Sequence, residues 1–150
     1  HDSKKNKSIS FTTREEKAQI ELLRLLISKN GDSRKNFMDT ISDVEFTHPL
    51  LKKLLGYLIN NKLKVDTAAI IEYFTDKYER DSIAKILFET NGEISSEQIV
   101  TDCLKILKSK PIKEKIGKVR AEIRDKELKG HDTQKELNEV LKLQKELNEL

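Results

Sequence analysis

The chain has 150 residues, 37% of them charged and 36% hydrophobic, and its 29 Lys and Arg against 26 Asp and Glu leave a net charge of +3. That balance argues against a dedicated phosphate-binding surface, and the single cysteine excludes a disulfide framework or a cysteine-based zinc site within one chain. No stretch approaches the ~18 consecutive apolar residues of a membrane span.

Residues 1–12 are rich in Ser, Lys and Asn without periodicity and read as a flexible linker; their basic run (Lys4, Lys5, Lys7, then Arg14) reads as solvated. A first helix is announced by Thr13-Arg14-Glu15-Glu16, where Thr13 can accept from first-turn amides while Glu16 reaches back to the Thr13 amide. Ala18, Ile20, Leu22, Leu23, Leu25, Leu26 and Ile27 follow, wide enough to face two neighbours, as in a central bundle helix. Asn30-Gly31 is expected to stop it with a left-handed cap, and Ser33 to cap a short second helix bearing Phe37, Met38 and Ile41.

Thr47-His48-Pro49 supplies a cap and then a proline in the first turn, where the missing N–H does no harm. Behind it, Leu50, Leu54 and Leu58 form one i, i+4, i+8 row and Leu51, Leu55 and Ile59 the next, which predicts a deeply buried helix ending at Asn60-Asn61. Asp66 is expected to cap a helix carrying Ala69, Ile70, Tyr73 and Phe74. A break near Thr75-Asp76 leads to a fifth helix with Ile83, Ala84, Ile86, Leu87 and Phe88, closed by Asn91-Gly92. No segment alternates with period two for long enough to form a strand.

The last third differs. No aromatic residue occurs after Phe88. Ser95-Ser96-Glu97-Gln98 opens a helix with Ile99, Cys103, Ile106 and Leu107 on one face, and Pro111 then marks a kink or short break, because an interior proline removes a backbone hydrogen bond. Ile112, Ile116, Val119 and Ile123 form a narrow coiled-coil seam. Gly130-His131-Asp132 makes a turn, Asp132 or Thr133 caps with Glu136 three residues after Thr133, and the final helix carries Leu137, Val140, Leu141, Leu143, Leu147 and Leu150. The expectation is an all-α chain: linker 1–12, a compact helical bundle over 13–110, and a kinked long helix leading into a C-terminal helical hairpin over 111–150, hinged at Pro111.

Two helices joined by one seam are marginal alone. Val140, Leu143, Leu147 and Leu150 can face the first hairpin helix, which leaves Leu137 and Leu141 on a flank. That surplus either folds back on the bundle or meets another protein; Pro111 and the thin seam favour a projecting hairpin, and a helical face offered to a partner is a recurrent recognition mode.

Residues for chemistry are missing from the pattern. His1, His48 and His131 are far apart, the five glycines are scattered, and no nucleophile turn or isolated carboxylate pair occurs. No catalytic residue, cofactor or metal is therefore expected. Gly56 and Gly117 fall inside helical patterns at about 1 kcal/mol each relative to Ala; close packing is the expected reason for Gly56 and added flexibility for Gly117. Opening on His1 rather than Met is expected of a fragment of a larger protein or a tag remnant, and the whole composition of a soluble cytoplasmic protein.

The order of these elements resembles a known family. Thr13-Arg14-Glu15-Glu16 with Ile20-Glu21-Leu22-Leu23-Arg24-Leu25-Leu26 is similar to the opening helix of the C-terminal region of bacterial DnaG-type primases. Phe46-Thr47-His48-Pro49-Leu50-Leu51 resembles its third-helix entry, and Ser96-Glu97-Gln98-Ile99 through Leu107 and Lys110-Pro111 the helix that leaves its bundle. Leu141-Lys142-Leu143-Gln144-Lys145-Glu146-Leu147 resembles its terminal helicase-binding hairpin, so the likeness runs from about residue 13 to the end.

The resemblance implies a non-catalytic domain that docks on the N-terminal domains of the replicative DnaB-type helicase and modulates it, with primer synthesis carried by parts absent here. Docking then falls to Leu137, Leu141, Leu143, Leu147 and Leu150, with Lys142 and Lys145 at the rim. Two other readings stay open. The helicase's own ring-forming N-terminal domain has a similar bundle and hairpin, and a helical nucleic-acid-binding module would use Lys52, Lys53, Lys62 and Lys64.

Overall fold

A computed structural model describes residues 9–61, 66–89 and 96–150 of the chain. Among these residues there are seven helices and no strand: α1 (Arg14–Ser28), α2 (Gly31–Ile41), α3 (Pro49–Asn60), α4 (Thr67–Tyr73), α5 (Lys77–Phe88), α6 (Ser96–Leu128) and α7 (Gln134–Asn148). The all-α expectation holds. The chain separates into two compact units, 1–104 and 105–150, so the division falls within α6 and ahead of Pro111.

In the first unit, α1 is the central helix and touches α2, α3 and α5. Its start is the expected capping box: Thr13 Oγ1 accepts from the Glu16 amide at 3.1 Å, and Glu16 Oε1 accepts from the Thr13 amide at 3.2 Å. Ala18, Ile20, Leu22, Leu23 and Leu26 are buried, and Arg24 ties α1 to α5 by donating from Nε to the Ile86 carbonyl and pairing with Glu89, both under 3 Å (2.9 and 2.8 Å). Gln19, fully buried, donates from Nε2 to Thr47 Oγ1 at 3.0 Å and so joins α1 to the turn before α3.

Caps elsewhere depart from the sequence reading in two places. Gly31 does take a positive φ of +54°, but it opens α2 instead of closing α1, whose C-cap is Lys29 with extended backbone. A left-handed residue suits a helix end or the first residue of the next, and two helices separated by two residues leave only the second place here. Ser33 consequently sits inside the first turn of α2 and caps nothing. At α3 the cap is His48, whose Nδ1 accepts from the Leu50 amide at 3.2 Å, with Pro49 following as expected. Asn61, Asp66 and Asp76 close or open α3, α4 and α5 where the sequence placed them; Asn91-Gly92 lies outside the described residues.

Burial sorts the α3 rows. Leu50, Leu54 and Leu58 are all buried, whereas in the second row only Leu51 is, and Ile59 is 43% exposed. Phe74 is fully buried just past the end of α4, and its predecessor Tyr73 is largely exposed. Gly56 was expected to permit close packing, but a Cβ there would meet nothing within 4 Å. The glycine therefore carries a helix-propensity cost with no packing return. Gly56→Ala is expected to stabilise the protein by about 0.5–1 kcal/mol, read as a higher urea midpoint at unchanged m-value; a lower midpoint would show that the position is crowded after all.

Cys103 is buried on α6, and burial, with Glu21 and Asp102 adding to it, pushes its thiol up to about 11. It stays protonated at neutral pH and behaves as a small apolar residue.

Candidate docking surface

The second unit is a hairpin made by the second half of α6, a tight turn and α7. Of the kink or short break expected at Pro111, the break is excluded: α6 is helical from Ser96 to Leu128 with Pro111 inside it. One missing donor removes a single rung of the ladder, and the rungs on both sides hold the helix together. The turn follows the reading closely. Gly130 has φ +74°, the His131 amide donates to the Lys126 carbonyl at 2.8 Å and the Gly130 amide to the Glu127 carbonyl at 3.1 Å. This is a Schellman closure, in which a glycine past the helix end lets two orphan carbonyls find donors.

The seam is the predicted one. Ile116, Val119 and Ile123 on α6 are buried with Leu143 on α7, and Ile112, Val140 and Leu147 pack against them. Leu150 does not join and is 40% exposed at the chain end. The surplus leucines are where the spacing put them: Leu137 is 44% and Leu141 69% exposed, four residues apart on one flank of α7. Of the seven residues expected to dock, Leu143 is taken by the hairpin's own seam and Leu147 partly so, while Leu137, Leu141, Lys142, Lys145 and Leu150 remain exposed. Leu128, 89% exposed at the end of α6, escaped the sequence reading; five residues after Ile123, it is off the seam and outside the spacing that was followed.

Of the two caps the sequence offers for α7, Asp132 and Thr133, the first is the one used. Asp132 Oδ1 accepts from the Gln134 amide at 3.3 Å, while Thr133 makes no side-chain cap bond and Glu136 does not reach back to it. Glu136 is buried and accepts from Lys126 Nζ across the hairpin at 2.7 Å. That hydrogen bond, acting against the cost of burial, holds the Glu136 carboxyl below its ordinary value of 4.5 and the Lys126 ammonium above 10.5. A lowered folded value means that the folded hairpin binds this proton more weakly than the unfolded chain. Its contribution is therefore complete above about pH 4.5 and fades as pH falls through the lowered value. Hairpin unfolding monitored by hydrogen exchange is expected to accelerate below that pH, and Glu136→Gln to flatten the dependence; an unchanged pH profile in the variant would assign the acid sensitivity to other carboxylates.

Sites for chemistry or nucleic acid are poorly furnished. Among the described residues, no three His, Cys, Asp or Glu side chains gather as a metal site would require. A cleft of about 760 Å³ between α1 and α5 is lined by both signs, with Arg24 already engaged by Glu21 and Glu89. Of the lysines considered for nucleic acid, Lys53 is paired with Glu79 at 3.2 Å and lies over the Phe74 ring at 5.2 Å, Lys52 is exposed, and Lys62 and Lys64 fall outside the described residues. No helix of the described residues is long and apolar enough to cross a membrane.

Compared with known proteins, the chain matches no protein family, no curated sequence and no solved structure at a significant level.

Proposed function

We propose that this chain is a non-catalytic docking domain, the helicase-interaction region of a bacterial DnaG-type primase, and that the hairpin of α6 and α7 engages the N-terminal domain of a replicative DnaB-type helicase. The observation that carries the docking half of this reading is the pair Leu137 and Leu141, exposed side by side on a helix whose own seam is already filled. Two leucines at i and i+4 beside an occupied seam are what a helix offers a second protein. The partner's identity is supported by the likeness in order and spacing of the motifs at Thr13, Thr47 and Leu141 to the primase family.

Calorimetry of the intact chain against the cognate replicative helicase tests both halves. Binding that is lost in a Leu137→Ser, Leu141→Ser double variant, while circular dichroism stays helical, is the expected result. Binding that survives the double variant moves the docking surface off this flank. Absence of binding by the wild-type chain rejects the helicase as partner.

A further inference from the structure

The flank bearing Leu137 and Leu141 has a neighbour that sequence spacing did not single out. At about 100° per residue, Lys113, Gly117, Arg120 and Arg124 make one row on α6 about a quarter turn round from the seam, with spacing 4, 3, 4. Leu137, Leu141, Gln144 and Asn148 make a second row on α7, with the same spacing and the same offset in the same winding sense. The helices are antiparallel, since Lys126 meets Glu136 beside the turn while Ile116 and Ile112 share a cluster with Leu147. Equal offsets on antiparallel right-handed helices point to the same side, so the two rows form one face.

From Lys113 to Arg124 that face carries one sign; the next position of the same row, Glu127 beside the turn, is acidic. Lys113, Arg120 and Arg124 are exposed, and none of their side chains makes a hydrogen bond or ion pair with the described residues. Short of Glu127, neither row contains an acidic residue. The opposite face mixes Lys115, Lys118, Lys135 and Lys142 with Glu122, Glu139 and Glu146. Gly117 leaves the centre of the α6 row open. It is exposed in mid-helix, and a Cβ there would meet nothing within 4 Å, so the chain's own packing does not call for a glycine that costs the helix about 1 kcal/mol. A glycine in the centre of an exposed row suits the close approach of another backbone.

We propose that this face seats an acidic amphipathic helix of a partner protein, its apolar side chains on Leu137 and Leu141, its carboxylates on Lys113, Arg120 and Arg124, and its backbone crossing at Gly117. The row from Lys113 to Arg124 spans about three helical turns, which sets the length of the occupant. A second copy of the chain fits less well, because the same two rows on it hold no carboxylate to pair with Lys113, Arg120 and Arg124. Nucleic acid fits less well: the face offers no aromatic ring for stacking, and its α7 row consists of leucines and amides. The proposal rests on reading the hairpin as a protein-docking element but not on the helicase as its partner.

The test uses the full chain and a fluorescein-labelled helical peptide of about 20 residues, with Leu at i, i+4, i+7 and i+11 and Glu at the flanking positions. A control peptide carries Lys in place of every Glu. Anisotropy is expected to show salt-sensitive binding of the acidic peptide, about tenfold or more above the control. Arg120→Glu with Arg124→Glu should lower that affinity about tenfold, while Lys115→Glu with Lys135→Glu on the opposite face leaves it unchanged. Gly117→Leu should abolish binding while thermal unfolding stays at or above the wild-type midpoint. No binding, equal binding of the control peptide, indifference to the Arg120 and Arg124 reversals, or preference for single-stranded DNA with the same Arg dependence would each overturn the proposal. Helicase binding without binding of the acidic peptide would overturn this inference alone; peptide binding without helicase binding would leave it standing and reject only the helicase.

Discussion

Phe74→Ala is expected to cost the first unit about 3–5 kcal/mol, the range for truncating a buried phenylalanine. Phe74 is fully buried, meets Tyr73 edge-on at 5.3 Å between ring centroids, and has Lys53 Nζ over its ring. It lies just past α4, a helix of only seven residues, and α4 has few other anchors: Ile70 is its only buried residue. The loss therefore combines a cavity with the release of a short helix that could not persist unaided. Against a typical total of ~5–15 kcal/mol for a domain, urea unfolding should shift far enough to leave a measurable unfolded fraction in water at moderate temperature. Tyr73→Ala, one residue earlier and 46% exposed, should cost much less; comparable losses for the two would show that ring contact, not burial, carries the stabilisation.

Aspartate substitutions in the hairpin should separate folding from docking. Ile116→Asp puts a carboxylate in a seam that holds only four buried residues, where Ile116 is 5% exposed. An unpaired charge at such a position is strongly disfavoured, and the seam has little else to hold it closed. Hydrogen-exchange protection should fall through the second half of α6 and all of α7, while amides around Leu22 and Leu54 in the first unit keep theirs. Leu141→Asp should do the reverse. At 69% exposure its folding cost should be within about 0.5 kcal/mol, yet any partner seated on that flank should be lost. Retained protection in Ile116→Asp would show that the hairpin is held by contacts beyond its seam.

Much of the architecture was legible from local rules because those rules are local. Capping at Thr13 and Asp66 needs only neighbours in sequence, and so does the Gly130 closure, where the next two residues decide which carbonyls are served. Periodicity separated Leu143 in the seam from Leu137 and Leu141 on the flank, since the helical repeat fixes which residues share a side. The misreadings have a common origin in competition between a local partner and a distant one. Glu136 had a capping position available three residues from Thr133 and took Lys126 instead, a stronger, charge-assisted bond. Gly31 had two helix ends within reach and served the later one.

What the amino-acid sequence determined by itself is the helical class, the positions of most helix ends, the seam and the surplus leucines beside it. These follow from the 3.6-residue repeat and from first-turn hydrogen bonding, which any helix obeys wherever it lies. Tertiary structure alone decided which apolar residues are spent: that Ile59 is left out while Leu58 is buried, that Gly56 packs against nothing, and that Gln19 finds Thr47 across 28 positions. It also decided that Lys113, Arg120 and Arg124 share a face with Leu137 and Leu141. Composition averaged those cations against the acids around them. Only the pairing of two antiparallel helices set the charges of one sign on one side, because the side a residue faces depends on the partner its helix packs against.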